Sequence, residues 1–218
     1  MKISEMGGEA ALIRLVQSKY GRAAGGDLAL GIGDDAALIR SGDKFLIVTA
    51  DILIENTHFR MDLIEPYLLG WKSVAVNISD VAAMGGNPTY CFVSIGLPDV
   101  DISVVEGIYQ GMLDCSERFE SVIAGGDTVS SSAGIVINVT QLGVVERDLA
   151  ARRTGAKPGD AILVTNTLGD SRGGLELLLK LGLDGARGIS SRLVECHLKP
   201  APRVREARAA VETGRVRS

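Results

Sequence analysis

The chain has 218 residues, of which 46% are hydrophobic and 23% are charged, and its formal net charge is −4. This composition is typical of a folded protein with one large or two ordinary domains, and the negative charge argues against binding to nucleic acids or anionic membranes. Three widely spaced cysteines argue against a disulfide framework or a zinc site. No apolar run approaches the roughly 18 residues of a membrane-spanning helix and no signal pattern is visible, so we expect a cytoplasmic protein with no membrane partner.

Strand and helix patterns alternate over roughly the first 150 residues. Residues 4–20 predict a helix capped near Gly7 and Gly8, and residues 44–51 predict a strand that ends at Asp51. A strand, an amphipathic helix and two more strands are predicted over 89–98, 102–119, 121–131 and 134–146. We expect the strand over 121–131 to break into a Gly-Gly-Asp turn at residues 125–127. The short connections favour an α+β fold with a sheet covered by helices.

A long helix predicted over residues 66–84 carries a polar stripe on an otherwise apolar surface. Ser73, Asn77 and Asp80 recur at the spacing that places side chains on one helical face. Such a stripe faces either solvent or a bound ion or phosphate, and the sequence leaves both interpretations open.

A second unit is predicted to begin after residue 150, where glycines and a proline interrupt the pattern. Its predicted elements are a strand over 161–166, a helix over 170–183, and two helices within 190–214 on either side of Pro200 and Pro202. Asp170 or Ser171 is the expected N-cap of the first helix. We therefore divide the chain into an N-terminal domain, residues 1–150, and an incomplete second α+β domain, residues 151–218.

Aspartates recur where an apolar element meets a glycine-rich or polar break. They are Asp34, Asp35, Asp51, Asp80 and Asp127. Several carboxylates in a chain with only two histidines suit a hard cation with oxygen ligands, Mg²⁺ before Zn²⁺. An aspartate in a glycine turn also serves to bond its own backbone, so each residue taken singly has a structural alternative.

The known phosphate-binding and nucleophilic motifs are absent or weak in this sequence. Residues 31–36 match the G-x-G-x-x-A dinucleotide pattern, but two aspartates inside the turn would repel a pyrophosphate, and a strand is predicted where the motif requires a helix. No P-loop or protein-kinase signature occurs. Neither His58 nor His197 has a Ser or Cys partner at a suggestive spacing. Bound phosphates would therefore need metal ions to bridge them to carboxylates.

Five segments in order resemble the thiamine-monophosphate kinase family, within the aminoimidazole-ribonucleotide-synthetase-like superfamily. They are GIGDDAALI, TADILIENTHF, GWKSVAVNISDVAAMGGNP, AGGDTVSS and ARRTGAKPGDAILVTNTLGDS. The resemblance implies ATP-dependent phosphorylation of thiamine monophosphate to thiamine diphosphate, the last step in making that cofactor, with Mg²⁺ as the metal. It further implies a homodimer that pairs through the sheet of the N-terminal domain, with a second domain closing the nucleotide site.

The resemblance also assigns roles to individual residues. The implied Mg²⁺ ligands are Asp34, Asp35, Thr49, Ala50 through its backbone carbonyl, Asp51, Asp80 and Asp127. The implied ATP-binding residues are Tyr109, Gly126, Asp127 and Arg153, and His58 would contact the thiamine substrate. Because the acceptor is a phosphate monoester, largely ionised at neutral pH given a second pKa near ~6, no catalytic general base is expected.

The chain departs from the family pattern at Ala50, where Thr is usual, and at Arg172, where a small residue is usual. It also lacks a DxSDGL-type segment after Val216. Two other interpretations therefore stay open. One is a non-catalytic dimeric fragment that binds Mg²⁺ or nucleotide; the other is a different ATP-using relative, such as a selenophosphate synthetase or a hydrogenase-maturation protein.

Overall fold

The structure, a computed structural model, describes residues 5, 7–21, 25–216 and 218. Within this part of the chain six strands form one sheet: β1 (Leu28–Leu30), β2 (Ala37–Ser41), β3 (Lys44–Ile54), β4 (Asn87–Leu97), β5 (Val122–Ser130) and β6 (Val136–Glu146). The helices are α1 (Glu9–Tyr20), α2 (Pro66–Ala83), α3 (Ile102–Arg118), α4 (Asp170–Leu198) and α5 (Val204–Val211). The predicted α+β class is confirmed, as are the N-terminal helix after its Gly8 cap and the helix over 66–84.

The strands are arranged in the order β1-β2-β3-β6-β4-β5. β4 and β5 run parallel because α3 connects them, whereas every other neighbouring pair is antiparallel. Alternate residues of β3 are buried, among them Phe45, Ile47 and Thr49, so one face of the sheet lies under the helices. The sheet is therefore mixed, and helices cover one of its faces.

The other face of the sheet, the open face, carries exposed apolar side chains. They are Ile52, Tyr90, Phe92, Val122 and Val129. Tyr90 pairs with Val122, and Ile52 and Ser94 both pair with Asn138, which places these side chains on one surface. Tyr90 is 52% exposed and Phe92 is 40% exposed.

Two predictions about the strands were wrong. Asp51 does not end its strand, because β3 continues to Ile54 with Asp51 paired to Val139. The Gly-Gly-Asp segment does not turn either. β5 runs through it, and the extra residue is absorbed as an irregularity opposite Cys91 and Phe92 while parallel pairing with β4 satisfies the backbone. Long-range pairing therefore overrides the local glycine signal.

The predicted strand over 161–166 is also not formed. Those residues belong to no strand, and Ile162 and Leu163 are 94% and 89% exposed. Within the described residues no neighbouring strand pairs with this segment, and an isolated strand is not stable in water. The expected N-cap was wrong as well: Gly169, in a left-handed conformation, caps α4, while the Asp170 carboxylate accepts hydrogen bonds from Thr167 and Arg192.

The main hydrophobic core surrounds α2. Leu69, Val74 and Ile78 of this helix are fully buried between the sheet and the other helices. Leu178 of α4 and Val204 of α5 belong to the same cluster. The helices of the predicted second unit therefore pack on the N-terminal layers, and the division at residue 150 stays a prediction. No helix in the described ranges has the length and apolar character that crossing a membrane requires.

Two glycines allow α2 and α3 to cross in backbone contact. A Cβ atom at Gly70 would lie 1.8 Å from the carbonyl oxygen of Ile108, and one at Gly111 would lie 1.9 Å from that of Tyr67. Both distances are far inside van der Waals contact, so any side chain would push the helices apart. This crossing fixes the position of α2.

Candidate functional site

An acidic cluster lies where β2, β3 and α2 meet. It consists of Asp34 and Asp35 in the turn before β2, Thr49 and Asp51 on β3, and Asp80 on α2. Thr49 Oγ1 donates a hydrogen bond to Asp80 Oδ2 over 2.8 Å and lies 3.3 Å from the carbonyl oxygen of Asp35. Strand alternation aims Thr49 and Asp51 toward the same face as α2. The structure therefore brings together the Asp34–Asp35 turn, β3 and α2.

The surroundings of Asp80 in this cluster raise the pKa of its carboxyl group. Its pKa is raised from 3.8 to about 6, chiefly by burial and also by the nearby Asp51 and Asp35 carboxylates, against the opposing effects of the Thr49 hydroxyl and Arg153. Crowded carboxylates disfavour ionisation of one another unless a cation is present. A bound cation would therefore favour the ionised form of Asp80.

Arg153 is the cation that the structure places at this cluster. Its guanidinium forms an ion pair with Asp35, and its backbone N–H donates to Asp34 Oδ2 over 3.2 Å. The guanidinium is exposed and Asp35 is partly exposed, so solvent screens this pair and it contributes little stability. The predicted ATP-binding arginine therefore lies beside the acidic residues.

The polar stripe of α2 contacts protein for most of its length. Ser73 donates to the carbonyl of Gly70 over 2.8 Å, and Asn77 donates to the carbonyl of Ser73 over 3.0 Å. Asn77 Oδ1 also accepts the backbone N–H of Asp51 over 2.9 Å. Ser73 and Asn77 are buried, and protein backbone groups satisfy their hydrogen bonds; of the stripe only Asp80 contributes its side chain to the cluster. Asn77 acts by positioning Asp51.

Asn138 holds the same strand from the other side and was not identified from the sequence. Its Nδ2 donates to the carbonyl of Asp51 over 3.1 Å. It lies on β6, an 11-residue strand of alternating burial in which nothing distinguishes it from an ordinary exposed-face residue. Only the pairing of β3 with β6 reveals its role.

Ala50 projects away from the cluster. It is exposed and lies between Thr49 and Asp51 on a regular strand, so its side chain projects to the open face. A threonine here would place its hydroxyl on that face, which explains why alanine is compatible with the site. Arg172, the other departure, pairs with Glu176 on the exposed surface of α4 and makes no clash.

The donor set of the cluster fits Mg²⁺ bound together with a phosphate. In the described part of the chain no three His, Cys, Asp or Glu side chains converge closely enough to hold a metal ion by themselves. Mg²⁺ usually keeps several waters and takes one or two carboxylates plus substrate phosphates. Asp35, Asp51 and Asp80 offer oxygen donors and a negative charge that Arg153 compensates only in part, which is the chemistry that such shared coordination requires.

The other predicted nucleotide residues lie across the sheet. Tyr109, Gly126 and Asp127 line a cavity of 470 Å³ between α3 and β5. Gly126 is required there, because a Cβ atom would lie 1.7 Å from the carbonyl oxygen of Val93. Successive strand pairs connect Asp51, Val139, Val93 and Gly126 in one row. With strands about 4.8 Å apart, this row is about 14 Å long, so Asp127 does not join the acidic cluster directly.

His58 lies in the loop after β3. Its Nδ1 accepts the backbone N–H of Ile54 over 3.0 Å, and the ring is exposed at a cavity of 270 Å³. Ile54 is three residues beyond Asp51, about 10 Å along the strand. His58 is therefore available to a ligand but is not part of the acidic cluster.

Residues 33–145 match the family model described as AIR synthase related protein, N-terminal domain. The chain is 38% identical to the thiamine-monophosphate kinase of Bacillus subtilis over 178 residues, covering 80% of this chain and 55% of that protein. It is 40% identical to the thiamine-monophosphate kinase of Aquifex aeolicus over 174 residues, with coverages of 79% and 55%. The chain therefore spans about half the length of these curated relatives.

Among solved structures, the chain is again similar to a thiamine-monophosphate kinase. The Aquifex aeolicus protein complexed with AMPPCP and TMP superposes with a TM-score of 0.83 at 35% identity, covering 97% of this chain and 65% of that one. The hydrogenase maturation protein HypE in complex with ATP superposes less well, with a TM-score of 0.53 at 25% identity over 84% of this chain and 55% of that one.

Proposed function

Since the chain belongs to the AIR synthase related family, we propose that it acts as a thiamine-monophosphate kinase, transferring the γ-phosphoryl group of ATP to thiamine monophosphate. The observation that carries the proposal is the acidic cluster, in which Asp35, Asp51 and Asp80 gather negative charge around a half-buried carboxyl. Phosphoryl transfer depends on charge neutralisation and alignment more than on covalent chemistry. The higher identity and TM-score with the thiamine-monophosphate kinases than with HypE support this choice of substrate.

Mg²⁺ is the metal we propose for the cluster. Asp35, Asp51 and Asp80 would hold it, with Asp34, Thr49 and the backbone carbonyl of Ala50 as further oxygen donors. When bound, the ion would neutralise charge on the phosphates of ATP. Asn77 and Asn138 hold the backbone of Asp51 in place for this role.

ATP would lie along the row that connects the cluster with the cavity beside β5. Tyr109, Gly126 and Asp127 line that cavity, and the exposed guanidinium of Arg153 is placed to donate hydrogen bonds to phosphate oxygens near the cluster. His58 would contact the thiamine substrate. No general base is assigned, because the acceptor phosphate is itself ionised.

We further propose a homodimer that pairs through the open face of the sheet and acts in the cytoplasm. The open face carries exposed apolar side chains, four on the neighbouring strands β4 and β5 and one on β3 beyond β6, and water solvates such side chains poorly. Burial of such a face against a second copy would remove it from water without disturbing the acidic cluster, which lies on the helical side.

A phosphorus NMR time course with Mg-ATP and thiamine monophosphate tests the kinase proposal. We expect signals of thiamine diphosphate and ADP to appear with the wild-type chain and to be lost with Asp80→Asn. Asp184→Asn, an exposed change on α4, serves as the matched control and should leave the rate unchanged. ATP hydrolysis without thiamine diphosphate would instead favour another member of the superfamily, and folded protein without turnover would contradict the proposal.

A further inference from the structure

A glutamine occupies a buried position in the middle of β6. Gln141 is 0% exposed, and the other buried residues of this strand are Ile137, Val139, Gly143 and Val145. Burial of an amide costs free energy unless its donors and its acceptor find partners, so an apolar side chain would be the ordinary choice here. The contacts of the glutamine must therefore explain its presence.

The amide of Gln141 connects β6 with β4 and with the residue that precedes β5. Its Nε2 donates to the backbone carbonyl of Tyr90 over 3.0 Å and to that of Leu142 over 2.8 Å. The Ser121 hydroxyl, also buried, lies 3.0 Å from Nε2 and donates to Oε1 over 3.4 Å. The backbone N–H of Ser121 in turn donates to the carbonyl of Ser116 in the last turn of α3 over 2.8 Å. The start of β5 is thus held by both a helix and the glutamine.

These hydrogen bonds lie where the regular pairing of β4 with β6 is interrupted. Between Pro88 and Cys91, two residues of β4 stand opposite one residue of β6. Tyr90 is one of the two, and Gln141 pairs with Cys91 at the end of the interruption. The side-chain amide therefore connects the two strands at the point where the backbone ladder is irregular.

A second irregularity lies on the other side of β4, in the pairing with β5. Cys91 pairs with Ile123 and Phe92 pairs with Gly125, which makes Ala124 an extra residue of β5. Both irregularities therefore adjoin Cys91, the partner of the buried glutamine.

The extra residue decides which way the following side chains of β5 face. Gly126 pairs with Val93, and Asp127 pairs with Ser94 at an exposed position. Without the extra residue each would move one place along β4, and Asp127 would stand opposite Ile95, whose side chain is 1% exposed. A slip of one residue turns every later side chain to the opposite face of the sheet. The carboxylate would then point to the side that the helices cover.

We propose that Gln141 is a positioning residue for the cavity of 470 Å³ beside β5, because it holds β5 in the register that places Gly126 against Val93 and keeps Asp127 off the buried side. Gln141 does not line this cavity and acts through the position of β5. The choice of ligand rests on the proposed kinase function, in which Tyr109, Gly126 and Asp127 bind ATP. A buried polar network whose members are all bonded favours one arrangement of the strands over others.

Hydrogen exchange tests the register without a ligand. Gln141→Met removes the amide but keeps an unbranched side chain of similar length. We expect exchange of residues 122–128, measured relative to that of β3, to rise about tenfold or more, because the hydrogen bonds at the start of β5 are lost. Thr49, the partner of Gln141 on β3, bonds to Asp80 instead, so β3 serves as the internal reference. Ile137→Val, a change at another buried position of β6, is the matched control and should leave this ratio unchanged.

Calorimetry with Mg²⁺ and AMPPCP tests the cavity. We expect Gln141→Met to weaken this binding about tenfold or more and to change the affinity for thiamine monophosphate less than twofold, a separation that a general loss of stability would not produce. Ile137→Val should leave both affinities unchanged. A wild-type chain that does not bind AMPPCP would contradict the proposed function, and the exchange ratio alone would then decide whether Gln141 sets the register.

A milder variant covers the case in which Gln141→Met does not fold. Ser121→Ala keeps the amide and its two carbonyl contacts but removes the hydroxyl before β5, so it should raise the exchange ratio and weaken AMPPCP binding in the same direction by a smaller factor. An unchanged exchange ratio in Gln141→Met, or in Ser121→Ala where the first variant is unfolded, would overturn the inference. Equal changes in Ile137→Val, or AMPPCP binding that survives faster exchange of β5, would overturn it as well.

Discussion

Replacement of Asp80 by asparagine should stabilise the metal-free protein at neutral pH. The pKa of Asp80 is raised from 3.8 to about 6, so the native state binds this proton more tightly than the unfolded state does. The free energy of unfolding therefore falls as the pH rises from about 4 to about 6, and the loss is complete above that range. An asparagine never ionises and keeps an oxygen for the Thr49 hydroxyl, so it avoids this loss.

The size of the effect follows from the shift. A difference of about two pKa units corresponds to about 3 kcal/mol, since one unit is about 1.4 kcal/mol. Asp80 is only half-buried, and solvent screening reduces this to about 1–2 kcal/mol. Urea unfolding in EDTA at pH 7.5 and at pH 4 measures it. Asp80→Asn should exceed the wild type by that amount at pH 7.5 and by much less at pH 4, whereas Asp184→Asn should match the wild type at both.

Addition of Mg²⁺ with AMPPCP should reverse the order of stability. A ligand at 100 times its dissociation constant stabilises the native state by about 2.7 kcal/mol, and only the wild type and Asp184→Asn should gain this fully. Lower stability of Asp80→Asn than of the wild type in EDTA at pH 7.5 would refute the argument from crowded charge. An equal gain with Mg²⁺ and AMPPCP in both proteins would remove Asp80 from the metal site.

Three further outcomes are expected. His58→Ala should weaken binding of thiamine monophosphate more than binding of ATP, measured by calorimetry, and equal losses would make the histidine merely structural. Gly111→Ala should cost about 1–3 kcal/mol or more in urea unfolding, because its Cβ would lie 1.9 Å from a backbone oxygen, whereas Gly188→Ala, with no atom within 4 Å, should gain about 0.5–1 kcal/mol. A hydrogen bond from its own backbone N–H and a second from Arg208 lower the pKa of Glu146 to about 2, so its stabilisation, present above about pH 4.5, should be lost as the pH falls toward 2. Glu146→Gln should flatten that part of the stability profile, and an unchanged slope would argue against the pairing.

Helices were easier to predict than strands, for a physical reason. The 3.6-residue pattern of α2 is local, and apolar residues that follow it, such as Leu69 and Ile78, are buried. The course of β5 through Gly125 and Gly126 depends on pairing with β4, about 30 residues earlier, and no local pattern encodes it. At residues 161–166 a strand was predicted and none is formed, because a segment of strand-like composition needs a neighbouring strand to pair with.

The sequence could predict those site residues whose side-chain type alone indicates metal or phosphate chemistry. Asp35, Asp51 and Asp80 were identified as carboxylates at the breaks of apolar elements, and the structure gathers them. Asn138 was not identified as a site residue, because an asparagine on a strand is an ordinary surface residue until tertiary packing surrounds it. Arg153 was assigned to ATP, and its pairing with Asp35 could not be read from positions more than 100 residues apart.

The backbone contact between α2 and α3 also governs how this protein tolerates changes of length. Each residue of a helix advances the side-chain direction by about 100°, so one residue inserted between Gly70 and Asp80 would turn the carboxylate away from Thr49 while the glycine crossing held the other end. A loop can absorb such an insertion, but α2 cannot. Related sequences should therefore vary in the residues on the exposed side of this helix and yet keep the number of residues between its glycine and its aspartate constant.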